Sequence, residues 1–212
     1  GALAAGAWTA PYGAGHPKPV NVVYVRDADA GKAEWACASL RLEPWLEQYL
    51  GAAPSRGGLT ALASSRGPAE YWYAEAPVVD LAVPEAALTA EDAADGDRLV
   101  TLRVTSPRGG RTISLRVTDA TVVETWIDGR RVETGSAPGW EPGRWSMDYV
   151  NPAASGVLIQ LRIRGRAPAT LTLIDRTHEL PAIPGRTFEG RPPGLMTIQN
   201  GDMAVVSRTV RF

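Results

Sequence analysis

Two histidines and one cysteine are all the imidazole and thiol in this 212-residue chain. With Cys37 alone there is no disulfide framework, and a lone cysteine does not fix the redox compartment. A zinc site would need both His16 and His178 plus carboxylates, and His16 sits in a stretch rich in proline and glycine. No run approaches the roughly 20 apolar residues of a membrane helix. No basic stretch precedes a long apolar one, so nothing reads as a signal peptide. The net charge of −1 gives no overall attraction for nucleic acid or an anionic membrane. Nucleophile elbows, dinucleotide fingerprints and phosphate loops are also missing.

What the chain has is glycine (22), proline (17) and short alternating segments, with 44% hydrophobic residues, enough for one sizeable core. Residues 1–17 read as a linker or tether. The apolar opening "GALAAGAW" suits either the tail of a membrane helix or a cloning remnant. Residues 18–96 read as a β-rich N-terminal lobe with one short helix, and 97–212 as an antiparallel β-sandwich of jelly-roll or immunoglobulin-like type. Lobe and sandwich are expected to pack as one unit, since no long Gly/Ser linker separates them.

In the lobe, "VNVVYVRD" and "KAEWACAS" predict a strand and its return, joined by Asp29-Ala30-Gly31. "DADAGKAEW" starts with the aspartate spacing of a calcium loop. Counted from Asp27, however, positions 5, 6 and 12 hold Gly31, Lys32 and Ala38, so a turn is the better reading. "EPWLEQYLG" predicts a helix with Pro44 in its first turn, Gly51 after its end, and Trp45, Leu46, Tyr49 and Leu50 on one face. "GPAEYWYAEAPVVDLAVP" reads as two short strands broken by Pro77. "EAALTAEDAADGD" reads as a loop with at most one helical turn, its crowded carboxylates a solvated acidic patch.

From Arg98 onward the period is two. "LVTLRVT" and "RTISLRVT", joined by "SPRGG", predict a hairpin with one wet face. Asp128-Gly129 signals a second hairpin. In "GVLIQLRIRG", Val157, Ile159, Leu161 and Ile163 point one way. The arginines Arg103, Arg116, Arg162 and Arg164 point outward and read as a solvated sheet face.

No residue takes a catalytic or metal-ligating role. "HEL" at 178–180 lacks the second histidine of a zincin, and Pro181 would break its helix. Cys37 reads as buried and inert, and His178 as a loop residue. The candidates for binding are Trp140 and Trp145 in a loop with Asp148 and Tyr149, because exposed tryptophans beside polar groups stack sugar rings or anchor partners. Their structural alternative is to cover the open end of the sandwich.

Several phrases together resemble a known family: "HPKPVNVVYVRDADAGKAEWACAS", "EPWLEQYLG", "LRVTSPRGGRTISLRV" and "LPAIPG…RPPGLM…GDMAVVSRTVRF". They are similar to the soluble region after the membrane spans of membrane-anchored M28-family zinc metallopeptidases, relatives of vacuolar and endoplasmic-reticulum membrane proteases. The resemblance covers about residues 16–212. It implies a non-catalytic accessory domain on the extracytoplasmic (periplasmic or luminal) side, tethered through its N-terminus. Its partners would be its own protease domain and membrane spans. Zinc would belong only to a catalytic domain outside this chain, and this chain would hold no cofactor. It would also make "GALAAGAW" the end of the last membrane helix. The alternative is an independent carbohydrate- or peptide-binding module.

Overall fold

The computed structural model describes residues 12–63, 70–133, 145–197 and 201–212. The chain runs through β1 (Lys18–Pro19), β2 (Val23–Asp27), β3 (Lys32–Cys37), α1 (Glu47–Leu50), β4 (Ser55–Gly58), β5 (Glu70–Glu75), β6 (Glu85–Ala94) and β7 (Asp97–Thr105). It continues through β8 (Thr112–Val117), β9 (Val122–Ile127), β10 (Arg130–Val132), β11 (Trp145–Val150), β12 (Val157–Ile163), β13 (Thr170–His178), β14 (Leu195–Met196) and β15 (Met203–Arg211). One sheet has the order β10-β9-β12-β7-β6. The larger has the order β11-β8-β13-β15-β2-β3-β5-β4.

The two sheets stack as a sandwich because their strands alternate. Val100, Leu102 and Val104 of β7 and Val157, Ile159, Leu161 and Ile163 of β12 face Ile113, Leu115 and Val117 of β8 and Leu171 and Leu173 of β13. Each such side chain is buried, a contribution of roughly 1.5–3 kcal/mol per residue. Farther along the large sheet, the same inner face carries Tyr24, Trp35 and Cys37 beneath α1 and residues 180–195. Its opposite face buries Val23, Val25, Ile174 and Val205 under Ala61 and Leu62.

The turn at residues 27–31 forms as expected. Asp27 Oδ1 accepts the N–H groups of Asp29 and Ala30, and Gly31 has φ +63°. Asp29 Oδ2 accepts the N–H and hydroxyl of Thr209, both at 2.7 Å, tying the turn to β15. Asp128 (φ +47°) and Gly129 (φ +78°) make the expected β9–β10 turn. The helix is shorter than expected. Pro44–Leu46 form a 3₁₀ turn and α1 only one α turn, closed by Gly51 N–H on the Glu47 carbonyl at 2.8 Å.

Three expectations need correction. Residues 85–94 form a strand, not a loop, because Asp95 (φ +50°) and Gly96 (φ +86°) turn β6 back onto β7. Alanine and acids make a weak strand, but β6 is an edge, where charge and the register shift between Leu88 and Ala90 discourage further pairing. Residues 78–84 form no second strand after Pro77. And β7 and β8 do not pair: they lie in different sheets, with residues 106–111 crossing between them. Period two identifies a buried face, not a neighbour.

The strands drawn from 18–96 and those from 97–212 share the large sheet, where β2 and β15 pair in parallel, Val23 opposite Met203 through Asp27 opposite Ser207. Residue 97 itself lies just past the β6–β7 turn.

Two carboxylates couple this fold to pH. Asp119 accepts the Thr170 N–H at 2.9 Å, and this bond holds its carboxyl below the ordinary range. Asp97 is lowered first by the Gly165 N–H and then by Arg162. A carboxyl depressed in the folded state adds stability above its unfolded value, near 4, and loses it as pH falls through the folded value. Asp119→Asn is therefore expected to flatten the decline of the urea midpoint below about pH 4. Profiles of wild type and variant that stay parallel would contradict this.

Candidate functional site

The crossing at residues 106–111 is built by Ser106. Its carbonyl accepts the Gly109 N–H at 3.0 Å, and its hydroxyl oxygen accepts the Gly110 N–H at 2.6 Å. This turn sends Arg108 inward. Arg108 Nε donates to Asp175 Oδ2 and Nη1 to Thr177 Oγ1, each at 3.1 Å. Nη2 donates to the carbonyls of Asp175 (3.1 Å) and Ala204 (3.3 Å).

Asp175 follows Leu171 and Leu173 on the inner face of β13, so the strand places a charge in an apolar row. Its side chain is 0% exposed and that of Arg108 is 10%. A carboxylate there is tolerable only with a paired, hydrogen-bonded cation. Its second oxygen, Oδ1, has no hydrogen-bond partner. It lies against Gly110, where a Cβ would sit 2.8 Å from the carboxyl carbon and 2.9 Å from Ser106 Oγ. No side chain fits at residue 110 unless the ion pair moves.

Beside this crossing is an open groove of about 390 Å³. Arg108, Arg111, Thr177, His178 and Glu179 line it, with Leu81, Leu180 and Pro181 on its apolar side. Arg111 Nη1 is 3.1 Å from His178 Nε2. A guanidinium can only donate, so the ring nitrogen accepts.

A second groove, about 520 Å³ and mainly apolar, adjoins the N-terminal residues. Tyr12, Pro44, Trp45, Pro192 and Leu195 line it, with the Lys18–Glu43 ion pair at its wall. Its shape rests on Arg191, whose guanidinium lies 4.4 Å from the Trp45 ring centroid and grips both oxygens of Asp202, at 2.6 and 2.7 Å. Asp202 in turn accepts the Val22 N–H at 2.9 Å. Tyr12 is 45% exposed, and Met196, next to Leu195 in β14, is 41% exposed.

Of the candidate residues, Trp145, Asp148 and Tyr149 do not share one exposed face. Trp145 is corrected from a ligand-facing residue to a core residue. It is 4% exposed, and its Nε1–H donates to Thr125 Oγ1 at 2.9 Å across the sandwich. Tyr149 packs toward the same core. Asp148 points to the opposite face of β11, because neighbours along a strand alternate. There it accepts the Ser114 hydroxyl, which also receives Arg176. Trp140 lies outside the described residues. Trp145→Ala is expected to cost about 3–5 kcal/mol of stability, read by urea unfolding. An unchanged midpoint would show that the ring is not a core member.

Other polar side chains are bound into the fold. Arg116 donates to the carbonyls of Thr60 and Ala63, and Arg176 to that of Ala61. Burial lowers both guanidinium groups from their ordinary value. Arg162 pairs with Asp97 and Glu124. Arg103 and Arg162 belong to the small sheet and Arg116 to the large one, so the outward arginines form no stripe. Cys37 is buried, its Sγ–H on Ser39 Oγ at 3.2 Å. Among the described residues, no three His, Cys, Asp or Glu side chains converge on a point where a metal could sit. No helix among the described residues is long and apolar enough to cross a membrane.

Sequence reasoning missed Arg108–Asp175 and Arg191–Asp202. The first pair had a signal: an acid at an inward position of the alternating run Leu171, Leu173, Asp175 requires a buried partner.

Two stacked sheets locked at one crossing by a buried ion pair, with two grooves on the surface, define a mainly β domain of the sandwich class. No family model matches the chain, and no curated protein matches it.

Proposed function

We propose that this domain is a non-catalytic, extracytoplasmic accessory domain of a membrane-bound M28-type aminopeptidase, and that it acts by presenting surfaces to the rest of that protein. The observation carrying this reading is the apolar groove at Tyr12, Trp45 and Leu195. Tyr12 stands in the wall of that groove. Tyr12, which is exposed, supplies apolar area there, as expected of a surface that meets a partner. The sequence phrases that resemble the region after the membrane spans of such peptidases support the same reading. So does the engagement of the polar side chains around Asp175 and Ser114 in holding strands together.

The experiment is a full-length protein cut before Tyr12, compared with intact protein and with Tyr12→Glu. Truncation is expected to lower aminopeptidase activity or the amount of inserted enzyme. The Tyr12→Glu variant should do the same in part while leaving the melting temperature of the isolated domain unchanged. Full activity and full abundance after truncation would refute the proposal.

A further inference from the structure

We infer that the groove beside the sheet crossing binds a carboxylate-bearing ligand with an apolar side chain, such as the C-terminal residue of a peptide or a free amino acid. The inference goes beyond the M28 reading and needs only this groove.

Its cationic side has donors in excess. Arg108 carries five N–H groups, and its bonds to Asp175, Thr177 and Ala204 occupy four of them. Arg111 is exposed and, among the described residues, meets no carboxylate. Its side-chain partner is Nε2 of the His178 ring. Arg111 therefore presents a planar fork with unused donors into a concave surface, the geometry that a carboxylate accepts in bidentate fashion. His178, with Nε2 already accepting, has its other ring nitrogen left to donate.

Two further features select a carboxylate that is part of an amino acid. Leu81, Leu180 and Pro181 form an apolar wall beside the cations, which an inorganic anion cannot use. Glu179 lines the same groove and has no cation bound to it among the described residues, so its carboxylate can take an α-ammonium or amide N–H. Glu179 is also held at φ +106°, a conformation few non-glycine residues adopt. Such strain concentrates at ligand clamps.

The test is calorimetric titration of the whole chain with N-acetyl-L-leucine, L-leucine, N-acetyl-L-leucinamide and inorganic phosphate. Saturable binding of the two carboxylates is expected, with a Kd of about a millimolar. The amide should bind at least about tenfold more weakly, as should N-acetyl-L-leucine to Arg111→Gln, since each removes a charge-assisted pair. Arg111 is exposed, so the variant should keep the wild-type melting temperature. No saturation by either carboxylate up to about 20 mM would overturn the inference. So would phosphate binding as tightly as N-acetyl-L-leucine, or an Arg111→Gln variant that binds like wild type.

Discussion

Gly110→Ala is expected to destabilise the domain by about 3 kcal/mol, the upper end of the overpacking range. The added methyl would enter the space of the Asp175 carboxylate and crowd Ser106 Oγ at 2.9 Å. Neither neighbour can yield cheaply. Asp175 is fully buried and bound to Arg108, and Ser106 Oγ accepts the N–H of residue 110 itself. Urea unfolding should show a lower midpoint with little change in slope. A loss below about 0.5 kcal/mol, the usual scale for exposed sites, would mean the crossing is looser than described.

Removing the cation should have a larger effect. Arg108→Met is expected to cost about 3–5 kcal/mol, because it leaves the Asp175 carboxylate buried without a partner. It also strips a donor from Thr177 and from the carbonyls of Asp175 and Ala204. For a domain whose total stability is of order 5–15 kcal/mol, that approaches loss of the fold at 37 °C. Asp175→Leu combined with Arg108→Met should recover much of the loss, since a buried pair exchanged for apolar groups of similar size is often nearly neutral. Failure of the second change to recover any stability would argue against an uncompensated charge as the cause.

Much of the fold was legible. The inward row of β12 and the turns at Asp27–Gly31 and Asp128-Gly129 each follow from local rules that tertiary contacts did not override. Pairing was less legible. β7 and β8 carry the same alternation and a turn-rich joint, yet belong to different sheets. Nothing within "SPRGG" separates a hairpin from a crossing until Arg108 is matched to an acid 67 residues later. β6 was lost because alanine and acids hide a strand, although Asp95-Gly96 carried the same turn signal as Asp128-Gly129.

The burial of Trp145 was missed for a different reason. Composition placed Trp145, Asp148 and Tyr149 together, but strand period sends Asp148 to the face opposite Trp145. Both grooves draw their walls from distant parts of the chain, Tyr12 with Leu195 and Arg108 with His178. No single segment announces either one.

The polar groups at the sheet crossing should hold the fold together before they do anything else. A double-mutant cycle on Arg108→Met and Asp175→Leu, by urea unfolding near neutral pH, tests this most directly. The expected result is strong coupling, about 2 kcal/mol or more, with the double variant more stable than either single one. Additive effects, with coupling within about 0.5 kcal/mol of zero, would contradict it.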